Sequence, residues 1–278
     1  MFYLIPFMLT LLVHANVKVI YGEDNRSDVY AVTNSLYKTI SLSTAALIDD
    51  SHLYPQGNMV EIRGRALGEM FQLCPDERFR FQPSAATCSG TLVAPDIIMT
   101  AGHCYDLAHD TCKNYAWIFD YKVAKENQMS VRVPLSSVYR CKEVLSTVDN
   151  KTADYSLIRL NRAVSDRSPI KLSQRKVNIQ DSLVLIGHPL GLPTKIADNG
   201  FVINTTEFSF STNLDAFTIN SGSGVFDAMT GEVVGILSSG ATDHQSQNGC
   251  TKSRVLSMEE GKEKVMKLDQ VTLQMEQL

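Results

Sequence analysis

Met99-Thr100-Ala101-Gly102-His103-Cys104, Ala153-Asp154-Tyr155-Ser156-Leu157-Ile158 and Asn220-Ser221-Gly222-Ser223-Gly224-Val225 are the stretches from which the rest of the chain is read. In order they supply a histidine, an aspartate and a serine. Nucleophilic acyl transfer needs those three groups together. A serine hydroxyl attacks poorly until an imidazole takes its proton, and the imidazole needs a carboxylate to fix its tautomer and steady its charge. Their order also separates hydrolase folds. An α/β-hydrolase runs Ser, then Asp or Glu, then His, with the serine in a G-x-S-x-G elbow. No serine here lies in such an elbow, and the only histidine after Ser221 is His244.

From about residue 55 onward, short apolar or alternating runs are separated by turn residues, as in an all-β chain. Gly90–Val93, Ile97–Thr100, Ala116–Phe119, Val131–Val133, Ser156–Leu160, Leu183–Ile186, Phe201–Ile203, Gly224–Phe226 and Val233–Leu237 are the runs expected as strands. Gly187-His188-Pro189-Leu190-Gly191-Leu192-Pro193 reads as a loop from its Gly and Pro content. At Ser257 the pattern changes. Ser257-Met258-Glu259-Glu260 has the form of a capping box, and Val265, Met266, Leu268, Val271, Leu273 and Met275 follow on a helical stripe, so a helix is expected over 257–278.

Composition bounds the partners. The chain has 278 residues, 44% hydrophobic and 20% charged, which is enough to bury a globular core. Its net charge of −4, without a basic run, gives no electrostatic case for nucleic acid or an anionic membrane. Phe2 to Val13 is a mostly apolar run, too short to span a bilayer, and Val13-His14-Ala15 offers small residues for cleavage. Residues 1–15 therefore read as a signal peptide, the alternative being a buried N-terminal strand. The mature protein is expected to be soluble, off the membrane, and secreted or periplasmic. Six cysteines in an exported chain suggest three disulfides. A rival grouping of His103, Cys104, His109 and Cys112 as zinc ligands matches none of the common finger spacings, so no metal is expected.

The motifs resemble those of the chymotrypsin/trypsin-like serine proteases. Thr100-Ala101-Gly102-His103-Cys104 is similar to T-A-A-H-C with Gly102 in place of an alanine, and Ser89-Gly90-Thr91-Leu92-Val93 resembles the strand before it. Asp154 opens an Asp-x-Ser-Leu-Ile-x-Leu run like that of the family's aspartate strand. Asn220-Ser221-Gly222-Ser223-Gly224-Val225 is close to the G-N-S-G-S-P-V of the bacterial glutamyl-endopeptidase branch. Gly235-Ile236-Leu237-Ser238-Ser239-Gly240 resembles G-I-V-S-W-G, the strand that pairs with substrate backbone. Val19-Ile20-Tyr21 followed by Asp24-Asn25-Arg26 resembles the mature start in that branch.

The resemblance implies two antiparallel Greek-key six-stranded barrels and a C-terminal helix, with the active site in the crevice between the barrels. Expected boundaries are an N-terminal segment 16–54 open to processing and a peptidase domain 55–256, its barrels at about 55–163 and 166–256. It implies an exported serine endopeptidase working through an acyl-enzyme without cofactor, a monomer acting on protein or peptide. His103 would be the general base, Asp154 its orienting group and Ser221 the nucleophile, with Ser223 at the variable Gly/Ser position. Backbone N–H groups of Ile219 and Ser221 would form the oxyanion hole. Glycine is usual where Ile219 stands, and a β-branched residue restricts the backbone there. That departure sustains the alternative, an impaired protease homologue that binds a protein through its cleft.

Asp215, six residues before Ser221, stands at the offset of the pocket-floor aspartate that selects Arg or Lys, and Ser238 and Gly240 would line the substrate strand. Glutamate preference would call for a histidine where Leu237 stands. Cys88 with Cys104 matches the family's bridge beside the histidine. The other pairs, Cys112 with Cys141 and Cys74 with Cys250, are only what remains. Asn220 replaces the aspartate that captures a freed N-terminus in trypsin-like zymogens, and an asparagine cannot form that ion pair. Lys18, Arg26 and Arg65 are the candidate processing sites.

Overall fold

The computed structural model describes residues 19–105, 111–240 and 243–278. The expected signal peptide, Lys18 and His109 lie outside the described residues. Two closed six-stranded antiparallel barrels make up the architecture. The first consists of Thr44–Asp49, Ala86–Ala94, Ile97–Thr100, Tyr115–Phe119, Val138–Asp149 and Asp154–Leu160. The second consists of Ser182–Gly187, Lys195–Thr205, Ser209–Thr212, Gly224–Asp227, Val233–Ser239 and Glu263–Met266. Counted along the chain, strands in both neighbour one another in the order 1-2-3-6-5-4, and the last closes on the first. The jump from third to sixth is the long return of a Greek key.

Strand chemistry explains why the first barrel reads as apolar on both faces. Successive side chains of a strand point to opposite sides of the sheet. Leu47, Trp117 and Phe119 join one buried cluster. Their neighbours Ala46, Ile48, Ala116 and Ile118 join a second, together with Val60, Ile62, Val131 and Val133. The last four belong to a small sheet, Leu53–Gln56, Met59–Ile62 and Val131–Pro134, which covers the outer surface of the barrel. The first cluster continues into the second barrel through Val184, Ile186, Ile196, Phe226 and Ile236.

All nine runs expected as strands lie in strands of the structure. The boundaries differ. Thr44–Asp49 completes the first barrel, so 16–54 is not an appendage to it. The same segment carries the helix Ser35–Ser41, capped by the Asn34 side chain, which accepts N–H bonds from Leu36 and Tyr37. At the other end, 257–278 is not one helix. The capping box heads a single 3₁₀ turn, Met258–Glu260. Glu263–Met266 then enters the second barrel between Ser209–Thr212 and Val233–Ser239, where Val265 and Met266 are buried. Only Asp269–Met275 is helical. Two buried residues of the presumed stripe are thus satisfied by a sheet, which offered them more apolar area than a surface helix could.

Candidate active site

Strand register delivers the aspartate to the histidine. Ser156 pairs with Thr100 in the antiparallel ladder, so Asp154 lies two residues beyond, beside the 3₁₀ turn Gly102–Cys104. There the Asp154 carboxylate accepts the His103 backbone N–H at 3.1 Å and meets His103 Nδ1 at 2.8 Å. A carboxylate can only accept, so Nδ1 carries the proton and Nε2 is the basic nitrogen of the neutral ring. Gly102 is required by this approach. A Cβ there would run into the Val148 carbonyl and sit 3.1 Å from Asp154 Oδ1. The departure from T-A-A-H-C is therefore a packing necessity. Asp149, the other nearby carboxylate, is exposed at the end of its strand.

Ser238 supplies the contact that sequence reasoning missed. Its hydroxyl donates to Asp154 Oδ2 at 2.5 Å, while its carbonyl accepts from Ser221 Oγ at 3.4 Å. One residue therefore bridges the aspartate of the first barrel and the serine of the second. Burial pushes the Asp154 carboxyl up, but hydrogen bonds from His103 and Ser238 and the nearby imidazole outweigh it, leaving it below the usual value. An ionised carboxylate at this distance is what a proton-accepting imidazole needs as a partner.

Ser221 sits in a tight turn pressed onto the first barrel. Ser89 donates its N–H to the Ser221 carbonyl at 2.9 Å, and Cys104 Sγ lies 3.6 Å from the same oxygen. Gly222 (φ +82°) leaves no room for a side chain against Ser89 and Thr100. Ser223 is fully buried, and its hydroxyl donates to Asn220 Oδ1 at 2.7 Å. The two serines are thus distinguished: Ser221 is half-buried with its hydroxyl near the Ser238 carbonyl, and Ser223 braces the turn.

Ile219 occupies the left-handed region at φ +72°. Asn220 N–H returns to the Phe217 carbonyl at 3.1 Å, so Ile219 is third in a β-turn. A positive φ at that position marks type II, where glycine is usual. The backbone adopts the glycine conformation despite the β-branched side chain, at a strain of about 1–3 kcal/mol. Among the described residues no hydrogen bond engages the N–H of Ile219 or of Ser221.

The residues expected to read the substrate side chain are arranged differently from the expectation. Asp215 is only 2% exposed, and its carboxylate accepts the backbone N–H of Tyr21 at 2.7 Å and of Asn25 at 2.6 Å. Burial pushes its carboxyl up to about 7, against those two donors. It ties down the N-terminal segment instead of facing an open pocket. Gly240 has the Glu263 carboxylate against it, and Glu263 also takes the Tyr21 hydroxyl at 3.2 Å. Nothing in the spacing of the sequence announced Glu263, because its strand was read as helix.

Three disulfides form, Cys88–Cys104, Cys112–Cys141 and Cys74–Cys250, each as paired above. Cys104 and Cys112 lie in different bridges and offer no thiolate to zinc, and no metal-binding cluster occurs among the described residues. Of the candidate processing sites, Arg26 is buried here: its guanidinium pairs with Asp24 at 2.8 Å and stacks 3.8 Å over the Phe217 ring. Arg65 is held in a short paired strand with Ser84. No helix among the described residues is long and apolar enough to cross a membrane.

Twin Greek-key barrels, with an aspartate–histidine pair on one and a serine turn on the other, define a trypsin-like fold. Residues 88–236 match the family model of the trypsin-like peptidase domain, and the chain belongs to that family of serine proteases. Among solved structures it is similar to a Glu endopeptidase in complex with MPD, with 16% identity, a TM-score of 0.54 and coverage of 93% of this chain and 98% of the other. It also overlaps a mutant, inactive form of a protein from M. tuberculosis, at 12% identity, a TM-score of 0.49 and coverage of 93% and 96%. No curated protein matches the chain significantly.

Proposed function

We propose that the protein is an exported serine endopeptidase that hydrolyses peptide bonds through an acyl-enzyme, with His103, Asp154 and Ser221 as its triad. The observation that carries this reading is the Asp154 carboxylate, which holds His103 Nδ1 and is linked through Ser238 to Ser221 Oγ. In the proposed mechanism His103 Nε2 takes the Ser221 proton as Oγ attacks the carbonyl, then returns it to the leaving amine. The N–H groups of Ile219 and Ser221 hold the developing oxyanion, each such donor being worth roughly 3 kcal/mol. The left-handed turn at Ile219 favours catalysis over the impaired-homologue reading, because the backbone conformation that glycine ordinarily supplies is present.

Cleavage after Arg or Lys loses its main support, since the Asp215 carboxylate is engaged by two backbone N–H groups. Three disulfides favour an oxidising, extracytoplasmic setting. Lys18 is the processing site we favour, because Val19–Tyr21 is already docked as a parallel strand on Arg254–Leu256.

Labelling of the disulfide-bonded protein with a fluorophosphonate tests the triad. We expect labelling in the wild type and in Ser223→Ala, and none in Ser221→Ala. A wild type that takes no label would overturn the reading, and N-terminal sequencing of the exported protein tests the start at Val19.

A further inference from the structure

The turn that presents the Ile219 N–H is held on either side of Thr218 by groups outside the triad. The carbonyl of Thr218 accepts the N–H of Leu190 at 2.7 Å. The N–H of Thr218 donates to both carboxylate oxygens of Asp243, at 2.9 Å each. In a trans peptide the C=O and the following N–H point in opposite directions. Fixing the Thr218 oxygen on Leu190 therefore aims the Ile219 N–H the other way.

Both grips are themselves anchored. Leu190 is in the left-handed region at φ +55°, within a buried stretch, and its carbonyl takes the Ser84 hydroxyl at 2.6 Å. Asp243 is 4% exposed, and its carbonyl accepts Arg254 N–H at 3.1 Å. Non-glycine residues thus sit at positive φ on both sides of the Leu190–Thr218 hydrogen bond. Such strain persists only where the surroundings over-determine it.

The alternative to this turn is near at hand. Type I and type II turns differ mainly by rotation of their central peptide, and type I needs only negative φ at the third residue. Isoleucine prefers that form, which would turn the Ile219 N–H away. We propose that Asp243 and the Leu190 backbone form a positioning clamp: Asp243 fixes Thr218 through its N–H, in the peptide before the central one, and so keeps the Thr218 carbonyl on the Leu190 N–H, the bond that holds the Thr218–Ile219 peptide in the orientation of an oxyanion donor. Isoleucine in the glycine position makes this clamp necessary. The proposal rests on the endopeptidase reading above.

The test is the rate of inactivation by a fluorophosphonate, whose phosphoryl oxygen uses the oxyanion hole and whose reaction needs no knowledge of the preferred side chain. Losing an oxyanion donor outright costs about 10²–10³-fold, so Asp243→Ala, which loosens one, is expected to slow inactivation by roughly 10–100-fold. Asp243→Asn keeps one oxygen acceptor and should recover part of the rate. The decisive variant is Asp243→Ala combined with Ile219→Gly. Glycine has no aversion to positive φ, so the double variant should regain most of the lost rate, whereas general damage to the fold would not be repaired. Wild-type rates in Asp243→Ala, or a double variant no faster than Asp243→Ala, would overturn the clamp while leaving the triad intact. Absence of labelling in the wild type would overturn both.

Discussion

Ile219 shows what a single residue can do to a site. Its β-branched side chain argued from the sequence for a damaged oxyanion hole, yet its backbone sits at φ +72°. Replacing it with glycine removes roughly 1–3 kcal/mol of strain and adds about 1 kcal/mol of unfolded-state entropy. Ile219→Gly should therefore be about 1 kcal/mol more stable by denaturant titration; a loss of stability would show that the left-handed turn is not the solution conformation. Ser238 is the complementary case. Its hydroxyl bond to Asp154 is charge-assisted, a type worth about 1.5–3 kcal/mol. Ser238→Ala should lower kcat about tenfold or more, and unchanged turnover would show that Asp154 is positioned without it.

Asp215 yields a prediction with a definite sign. Its folded pKa, near 7, lies above the unfolded value of 3.8. The fold then holds more protons than the unfolded chain between these values, so stability from this group is complete below about 3.8 and is lost as pH rises through about 7. The stability advantage of wild type over Asp215→Asn should therefore shrink from pH 4 to pH 7. An advantage that grows over that range would mean the two backbone donors outweigh burial. The role first read from this residue failed for a physical reason. An offset from the serine places a carboxylate near a pocket, but it cannot say whether a chain segment 190 residues away will occupy it.

At the scale of elements, the legible parts were those with local signals. Apolar runs such as Ile97–Thr100 and Val233–Leu237 are buried on both faces and read plainly. Val138–Asp149 escaped because most of its residues are only half-buried or exposed, so no alternation survives in V-Y-R-C-K-E-V-L-S-T-V-D. Glu263–Met266 escaped because a four-residue strand with one helix-like neighbour pattern is too short to declare its period. The histidine element was legible down to its departure. Gly102 is forced by the Val148 carbonyl and the Asp154 carboxylate, so Gly102→Ala must push the turn away from Asp154. We expect fluorophosphonate inactivation to fall on the order of 10²-fold, as misplacements of about an ångström do. Retained activity would mean that the turn can shift without disturbing the pair.

For the whole molecule, the question is whether two barrels behave as one folding unit. Inter-domain faces within a chain are commonly modest and polar, which allows independent motion and melting. Here one buried cluster runs from Leu47, Ile98 and Trp117 in the first barrel to Ile186, Phe226 and Ile236 in the second. The serine turn adds a backbone bond across the same junction, Ser89 N–H to the Ser221 carbonyl. The aspartate–histidine pair and the serine turn come from different barrels, so coupling the barrels' stabilities also preserves the geometry between them. Trp117 is the only tryptophan and is fully buried on a strand of the first barrel, so its fluorescence reports the packing of that barrel and its side of the shared cluster. Phe226, equally buried, belongs to the second. Phe226→Ala should cost about 3–5 kcal/mol as a core truncation. If the barrels are coupled, the Trp117 transition moves down together with the far-ultraviolet dichroism transition, and the two remain superimposed. A Trp117 transition that stays in place while the dichroism splits in two would show that the barrels unfold separately.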